Sequence, residues 1–358
     1  MHGPAAHQRE HSLGVALTLA SAVAFGATGV LAKTAYAAGA GVPALLSVRF
    51  TLAAVILWAL VAFRRPARPP LRTAVAALAL GAVGYAGEAL LYFSALQRLS
   101  ASLVALLLAT YPVVVVVSAV VLGRERPDRG RAAALGAGLG GTVLVLGGAS
   151  VGALSGTGLL LAGAAVFAYA TYVILADGFA RRIDGLLLAT LVITGAALAT
   201  SATGIVGGAD YAMRPGAWLS IGALAVVCTV IPISAFLLAL PRVGPGTASI
   251  LSTLETVVSV GLAALLLHDA LGPLQLLGAA LVLGAVVILQ LRGRVIADDA
   301  AAESAAGAPA RALALVPADG AGMGLRAEVG RLPGTGVRRR LEHRAPVTQR
   351  PAAVTLFP

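Results

Sequence analysis

The chain has 358 residues, of which 59% are apolar and only 11% are charged, and its mean hydropathy is +0.92. Soluble globular chains carry about a quarter charged residues, so this composition excludes an ordinary soluble domain. The formal net charge of +11 would also suit a nucleic-acid-binding protein, but the sequence contains no nucleic-acid-binding motif. We therefore expect an integral membrane protein.

In chain order, apolar stretches of about 20 residues recur, and each is long enough to cross roughly 30 Å of hydrocarbon as a helix. Helices are favoured over membrane-spanning strands because runs such as 113–121 do not alternate polar with apolar residues. The sequence thus predicts an all-α integral membrane protein. Its ten transmembrane helices are predicted at approximately 12–35, 43–63, 72–97, 100–122, 131–149, 157–176, 185–206, 216–240, 245–267 and 271–291.

The distribution of basic residues predicts the orientation, because cytoplasmic loops hold an excess of Lys and Arg. With the N-terminal segment 1–11 inside, 14 basic residues fall on the cytoplasmic side and 3 on the opposite side. A multi-pass protein of the plasma membrane with both termini in the cytoplasm is the prediction. The segment 292–358 is rich in Ala, Gly, Pro and Arg and has no sustained apolar period, which predicts a disordered basic cytoplasmic tail.

The chain contains an internal repeat, since an offset of 144 residues aligns similar residues at the ends and middles of the spans. The aligned pairs are Gly14 with Gly158, Phe25 with Tyr169, Arg98 with Arg242, and Glu125 with Asp269. The copies cover 12–149 and 157–291, with five predicted spans each. Because five is odd, the second copy enters the membrane from the opposite side. Inverted repeats are typical of secondary transporters, whose substrate site lies near the bilayer midplane between the halves.

Sequence motifs in both copies resemble the EamA family of the drug/metabolite transporter superfamily. The motifs are 95–102 (ALQRLSAS), Tyr111-Pro112 and 122–125 (LGRE) in the first copy, and 239–246 (ALPRVGPG), 254–257 (LETV) and 267–269 (LHD) in the second. Two positions depart from the family pattern: Thr256 replaces a proline, and Asp269 replaces a glutamate. The resemblance covers roughly 12–291 and implies ten helices with cytoplasmic ends and export or uptake of small metabolites.

Three ionisable residues, Arg49, Glu88 and Glu255, fall well inside predicted spans. Each costs roughly 2.5 to 3.5 kcal/mol at a helix centre, so we expect each to face the protein interior. Similar depths place Arg49 and Glu88 within reach of each other, either as a structural ion pair or in a coupling site. Glu255 has no evident cation at its depth, which favours a cavity-facing position, with a neutral packing role as the alternative.

Polar and aromatic residues at helical spacing add further candidates for substrate binding or coupling. Glu88 and Tyr92 are four residues apart, and Tyr169 and Tyr172 are three apart, so each pair shares a helix face. Ser252 and Ser259 flank Glu255 on one face in the same way. Tyr111 precedes Pro112, which within a helix frees a backbone carbonyl that can line a cavity. Aromatic rings with hydroxyls suit an organic substrate, although ordinary helix packing explains each tyrosine equally well.

Together these features predict a secondary transporter of a small metabolite, amino acid or drug-like compound. Alternating access, coupling to an ion gradient and export are the favoured properties. An enzyme is not expected, because no histidine pair can meet within the membrane and no metal site or cofactor motif occurs. The alternative is a channel or receptor-like protein without coupled transport. The expected partners are a small-molecule substrate, membrane lipid and a proton or other ion, without nucleic acid; a homodimer is left open.

Overall fold

The computed structural model of the protein describes residues 4–121, 129–148, 154–180, 182–269, 271–289 and 291. The predicted tail 292–358 and the motif 122–125 lie outside the described residues. All regular elements within the described part are helical. In chain order they are α1 (Pro4–Gly26), α2 (Thr28–Ala37), α3 (Val42–Arg64), α4 (Leu71–Ala79), α5 (Ala86–Leu96), α6 (Ala101–Leu108), α7 (Tyr111–Val121), α8 (Arg129–Gly147), α9 (Gly156–Ala180), α10 (Gly185–Val206), α11 (Pro215–Ala225), α12 (Ile231–Ser252), α13 (Leu254–Leu267) and α14 (Pro273–Leu289).

Eight helical segments among the described residues are long and apolar enough to cross a membrane. Two shorter apolar helices, Ala132–Gly147 within α8 and α14, occupy the positions of the predicted fifth and tenth spans. The predicted all-helical, multi-pass membrane class is therefore confirmed. The count of ten spans stays a prediction.

Several helices are broken where the sequence predicts a single span. The predicted first span is divided at Ala27 into α1 and α2, and α1 begins at Pro4, eight residues earlier than expected. Two π-helical turns interrupt other spans: the first π-turn, Leu80–Tyr85, joins α4 to α5, and the second π-turn, Val226–Val230, joins α11 to α12. Hydropathy sets the length of an apolar segment but leaves its local winding undetermined, so the sequence predicts the spans without their breaks.

Proline and glycine account for two further irregularities. Pro112 is the second residue of α7, where its missing N–H leaves no helical hydrogen bond unmade and its ring favours a helix start. The freed carbonyl expected from a proline inside a helix is therefore not produced, and that reason for selecting Tyr111 was wrong. Gly244 lies inside α12 with φ of 74°, a left-handed conformation that glycine adopts without steric cost. This residue kinks α12 close to the point where the first repeat separates α5 from α6.

The two repeats pack against each other with an approximate two-fold relationship. Helices α3 and α10 occupy equivalent positions at the offset of 144 and run antiparallel in contact. The Trp58 Nε1 donates a hydrogen bond to the Thr194 Oγ1 at 2.9 Å, and the hydroxyls of Thr51 and Ser201 lie 3.4 Å apart. In both contacts the two residue numbers add up to 252, so the number rises along one helix as it falls along the other. This is the register expected of two equivalent antiparallel helices that cross at a two-fold axis.

The same exchange relates two contacts at the ends of the repeats. Gly14 of α1 lies against Arg242 and Val243, so close that an added Cβ would be 2.6 Å from the Arg242 Cβ. Gly158 of α9 lies against Arg98 and Leu99, where an added Cβ would be 2.8 Å from the Leu99 Cγ. The two contacts involve equivalent residues, because Gly158 corresponds to Gly14, and Arg98 and Leu99 correspond to Arg242 and Val243, at the offset of 144. The glycine and arginine pairs aligned in the sequence therefore meet across the repeats.

Candidate functional site

A cavity lies between the two repeats and encloses about 770 Å³, counted with its open mouth. Helices of both repeats contribute to its wall. The lining residues are Phe25, Tyr92, Ala105, Leu108, Ala109, Tyr111, Pro112, Tyr169, Phe236, Ser252, Thr253, Glu255, Thr256, Ser259, Leu283 and Val286.

Most of the lining residues form pairs that are equivalent under the repeat. The pairs at the offset of 144 are Phe25 with Tyr169, Tyr92 with Phe236, Leu108 with Ser252, Ala109 with Thr253, Tyr111 with Glu255, and Pro112 with Thr256. A cavity built from such pairs lies where the equivalent surfaces of the two repeats face each other. The chemistry of five pairs differs, because hydroxyls and a carboxyl in the second repeat replace apolar or aromatic groups of the first; in the sixth pair, Tyr92 of the first repeat has a hydroxyl that Phe236 lacks.

Five of the eight candidate residues predicted from the sequence line this cavity. They are Tyr92, Tyr111, Tyr169, Ser252 and Glu255. A sixth, Tyr172, lines a smaller neighbouring cavity of about 330 Å³ that shares Phe25 and Tyr169 with the first. The remaining two, Arg49 and Glu88, line neither cavity.

Helix breaks place the polar side of the cavity. Glu255 lies in the first turn of α13, directly after the break at Thr253, and Tyr111 begins α7 after the equivalent break in the first repeat. Threonine hydroxyls satisfy a backbone carbonyl at each break: Thr253 donates to Ile250 O at 2.7 Å, and Thr110 donates to Leu107 O at 2.6 Å. The two breaks thereby place the equivalent residues Tyr111 and Glu255 on the cavity wall.

The Glu255 carboxyl has no hydrogen-bond or ion-pair partner among the residues that the structure describes. Its neighbour Ser252 donates its hydroxyl hydrogen to Ala248 O at 2.9 Å within its own helix. Ser259, which completes the predicted stripe on this helix face, also lines the cavity and is buried. The predicted polar stripe of α12 and α13 is therefore presented to the cavity.

Tyrosine rings connect the two cavities. The rings of Tyr111 and Tyr169 meet edge to face with centroids 4.7 Å apart, and Tyr169 stacks with Tyr172 at 6.1 Å. Tyr172 in turn lies 5.3 Å from Tyr85, whose ring is 5.5 Å from that of Phe50. Aromatic contacts thus run from the cavity wall into the core between the repeats.

The predicted contact between Arg49 and Glu88 is not formed. Arg49 is 4% exposed and reaches instead to the second π-turn, where its Nε donates to the Thr229 Oγ1 at 3.0 Å and its Nη2 donates to Cys228 O at 3.2 Å. Its guanidinium also lies over the Phe50 and Phe93 rings, at 5.3 and 5.2 Å from their centroids. A π-turn leaves backbone carbonyls without their usual helical partner, and Arg49 satisfies one of them.

Glu88 is buried in α5, and the described residues provide it with no hydrogen-bond or ion-pair partner. Depth along a helix predicts the height of a side chain in the membrane. It does not predict which neighbouring helix the side chain meets. The similar depths of Arg49 and Glu88 were therefore not sufficient to predict a contact between them.

Polar contacts surround the start of α6. The Asp269 Oδ2 accepts a hydrogen bond from Ser102 N at 3.0 Å, at the start of α6. Lys33 donates from its Nζ to Leu99 O at 2.7 Å, beside the same helix start. A carboxylate at a helix N-terminus interacts favourably with the helix dipole, so the acid of the second-repeat motif stabilises a helix of the first repeat.

Several lining residues were not predicted as site residues, among them Phe25, Phe236 and Thr253. The repeat contains a signal for them, because each is equivalent at the offset of 144 to another lining residue. Leu283 and Val286 of α14 have no such signal, since their equivalents in α8 do not line the cavity. Among the described residues, no group of three or more His, Cys, Asp or Glu side chains is placed to hold a metal ion.

Comparison with known proteins identifies the chain. It is 28% identical over 281 residues, 75% of this chain and 90% of the relative, to the uncharacterized transporter YcbK of Bacillus subtilis (strain 168). A solved crystal structure, described only as that of a protein, shares the fold with a TM-score of 0.57 at 21% identity, over 80% of this chain and 99% of the other. The model of the EamA-like transporter family matches residues 12–147 and 156–291. The family model thus matches both repeats and confirms the resemblance seen in the sequence. The chain belongs to the EamA-like transporter family of multi-pass membrane transporters.

Proposed function

We propose that the protein is a secondary transporter that exports a small metabolite, amino acid or drug-like compound by alternating access. The observation that carries this proposal is the cavity between the repeats, whose wall is built from six pairs of equivalent residues. In inverted-repeat transporters the substrate site lies at the interface of the halves, which exchange conformations around it. No helix outside the two repeats is needed for such a cycle.

The proposal includes ten membrane spans that form two inverted repeats. The protein lies in the plasma membrane, with both termini in the cytoplasm. The antiparallel contact of the equivalent helices α3 and α10 supports inversion, because a two-fold axis that relates antiparallel membrane helices lies in the membrane plane. The bias of 14 basic residues against 3 supports the cytoplasmic termini.

The competing proposal is a channel or a receptor-like protein without coupled transport. Counterflow separates a carrier from a channel. A panel of toxic amino acids, nucleosides and drugs is first tested on strains that lack or overexpress the protein, to find a compound whose toxicity changes. The purified protein is then placed in liposomes loaded with that compound, and uptake of its labelled form is followed. A carrier transiently accumulates label inside the liposomes to a concentration above that outside. A channel or receptor gives no such overshoot.

Glu255 is proposed to couple transport to a proton gradient by binding and releasing a proton as the cavity changes sides. Acidic residues inside membrane spans serve this purpose in proton-coupled carriers. Glu255→Gln keeps the side-chain shape and removes the titrating group. We expect this variant to insert normally and to lose the pH dependence of transport, while exchange at equal, saturating substrate concentrations persists.

The matched control is Asp210→Asn, which removes a carboxylate from an exposed loop outside the cavity. It should transport with the wild-type rate and pH profile. If Glu255→Gln also keeps the wild-type rate and profile, the coupling role of Glu255 is wrong. Glu88, a buried carboxyl without a described partner, is then tested by the same substitution.

A further inference from the structure

The ionisable side chains that line the cavity are acidic, without a basic residue among those described. Among the described residues that line it, Glu255 is the only acid or base apart from the tyrosine hydroxyls, and no Lys, Arg or His contributes. Two basic residues of the first repeat, the half-buried Lys33 and the buried Arg49, do not line the cavity and donate their hydrogen bonds to other groups, Lys33 to Leu99 O at 2.7 Å and Arg49 to the second π-turn. An ionised Glu255 therefore has no ion-pair partner among the residues that the structure describes.

Hydroxyl groups beside Glu255 are also partly committed. A serine or threonine hydroxyl has a single hydrogen to donate. Ser252 donates its hydrogen to Ala248 O at 2.9 Å, and Thr253 donates to Ile250 O at 2.7 Å. Both hydroxyls present lone pairs to the cavity, which accept hydrogen bonds from a ligand. The polar wall thus offers a carboxyl and several hydroxyls, of which those of Ser252 and Thr253 act toward a ligand as acceptors.

The remaining wall is aromatic and aliphatic. Five aromatic rings line the cavity, namely those of Phe25, Tyr92, Tyr111, Tyr169 and Phe236. Aromatic faces carry partial negative charge and attract ammonium groups, most strongly where water is excluded. Leu108, Leu283 and Val286 add an aliphatic surface. A carboxyl next to several aromatic rings favours a cation and disfavours an anion, while the aliphatic surface favours a ligand with an apolar body.

We propose that the cavity binds amphipathic organic ammonium compounds, with the charged nitrogen at Glu255 and the apolar body between the aromatic and aliphatic walls. This inference rests on the proposed function and gives its substrate class. Phe25, Tyr92 and Tyr111 of the first repeat and Tyr169 and Phe236 of the second supply the aromatic rings, so the ligand would lie between the halves.

A matched set of three ligands tests the charge preference without any substitution in the protein. Benzyltrimethylammonium carries a fixed positive charge, 3-phenyl-1-propanol is neutral, and 3-phenylpropionate is negative. Binding to the full-length purified protein in detergent micelles is measured by calorimetry. We expect saturable binding of the ammonium compound, binding of the alcohol at least about tenfold weaker, and none of the carboxylate. Equal or tighter binding of the alcohol or the carboxylate overturns the proposal, as does the absence of saturable ammonium binding.

Variants then locate the charge. Glu255→Gln should reduce the affinity for benzyltrimethylammonium to that for the alcohol, and Glu255→Asp should retain part of the preference. Tyr111→Leu should weaken ammonium binding while Tyr111→Phe preserves it, because the ring and not the hydroxyl attracts the cation. Asp210→Asn serves as the control and should bind like the wild type. Unchanged ammonium affinity in a folded Glu255→Gln variant contradicts the assignment.

Counterflow in liposomes distinguishes failure of this inference from failure of the transporter proposal. If a neutral or zwitterionic compound is exchanged, while the ammonium compound neither binds nor competes, the substrate class is wrong and the transporter proposal stands. If the ammonium compound binds with the expected charge preference and no compound of the panel is exchanged, the site stands and transport is wrong.

Discussion

The close contact of Gly158 with Arg98 and Leu99 allows a quantitative test of how the repeats pack. A Cβ added at Gly158 would lie 2.8 Å from the Leu99 Cγ and 3.0 Å from the Arg98 Cβ, whereas ordinary contact begins near 3.4 Å. The Arg98 Cβ is fixed by its backbone, and Leu99 is 2% exposed, so its Cγ has little space to rotate into. Gly158→Ala therefore requires α9 to move away by about 0.6 Å from the segment that follows α5.

Gly163→Ala is the matched control, because Gly163 lies in the same helix and an added Cβ there would have no atom within 4 Å. Both substitutions gain the helix propensity of alanine over glycine, about 1 kcal/mol. Only Gly158→Ala adds overpacking, which costs about 1–3 kcal/mol in a close-packed interior. The difference in unfolding free energy between the two variants should therefore be about 1–3 kcal/mol, with Gly158→Ala the less stable.

Thermal unfolding in detergent micelles, followed by the loss of monodisperse protein after heating, measures this difference. The melting temperature should fall by several degrees for Gly158→Ala and stay level or rise for Gly163→Ala. Gly14→Ala should behave like Gly158→Ala, since its Cβ would lie 2.6 Å from the Arg242 Cβ in the equivalent contact. A Gly158→Ala variant as stable as Gly163→Ala would falsify the packing described for the repeats.

Three further predictions concern the core, the orientation and the tail. Arg49→Met removes two hydrogen bonds from a charged group to the second π-turn, each worth about 1.5–3 kcal/mol, so a melting temperature equal to the wild type would contradict the anchoring role. Reporters fused after Arg64 and after Arg131 should both indicate the cytoplasm, and an external signal at either would contradict the ten-span topology. Truncation after Arg294 should leave insertion and transport nearly intact, and loss of either would show that the tail contributes.

The sequence was sufficient to predict the membrane class and the repeat, because both depend on patterns that extend over many residues. Hydropathy over about 20 residues identifies a span whatever its neighbours are. The offset of 144 was supported by Arg98 with Arg242 and by Gly14 with Gly158, and these four residues form the two equivalent contacts between the repeats. Residues at both ends of a contact keep their identity because each determines how closely the other can approach.

The sequence was less informative about which side chains meet across helices. Glu255 and Tyr111 were predicted as candidates from depth and from Pro112, and both line the cavity. Arg49 was assigned the wrong neighbour, because its actual partners become available only through the second π-turn. A π-turn changes the direction in which carbonyls point over a few residues, and such a short change has no hydropathy signature. Phe236 and Thr253 could be found only by applying the offset of 144 residues to the lining of the site as well as to the helices.

The symmetry of the scaffold and the asymmetry of the cavity have different consequences for the proposed cycle. The contacts at Gly14 and Gly158 are equivalent and both are formed in this structure, so they belong to a frame in which the halves are interchangeable. In an alternating-access cycle, such a frame makes the two exchanged conformations similar in energy. The cavity differs, because Tyr111 in the first repeat corresponds to Glu255 in the second. Since a ligand shifts an equilibrium only through its different affinities for two states, what binds at Glu255 would bias the proposed cycle toward one of the two conformations, while the gradients of substrate and ion would set the net direction.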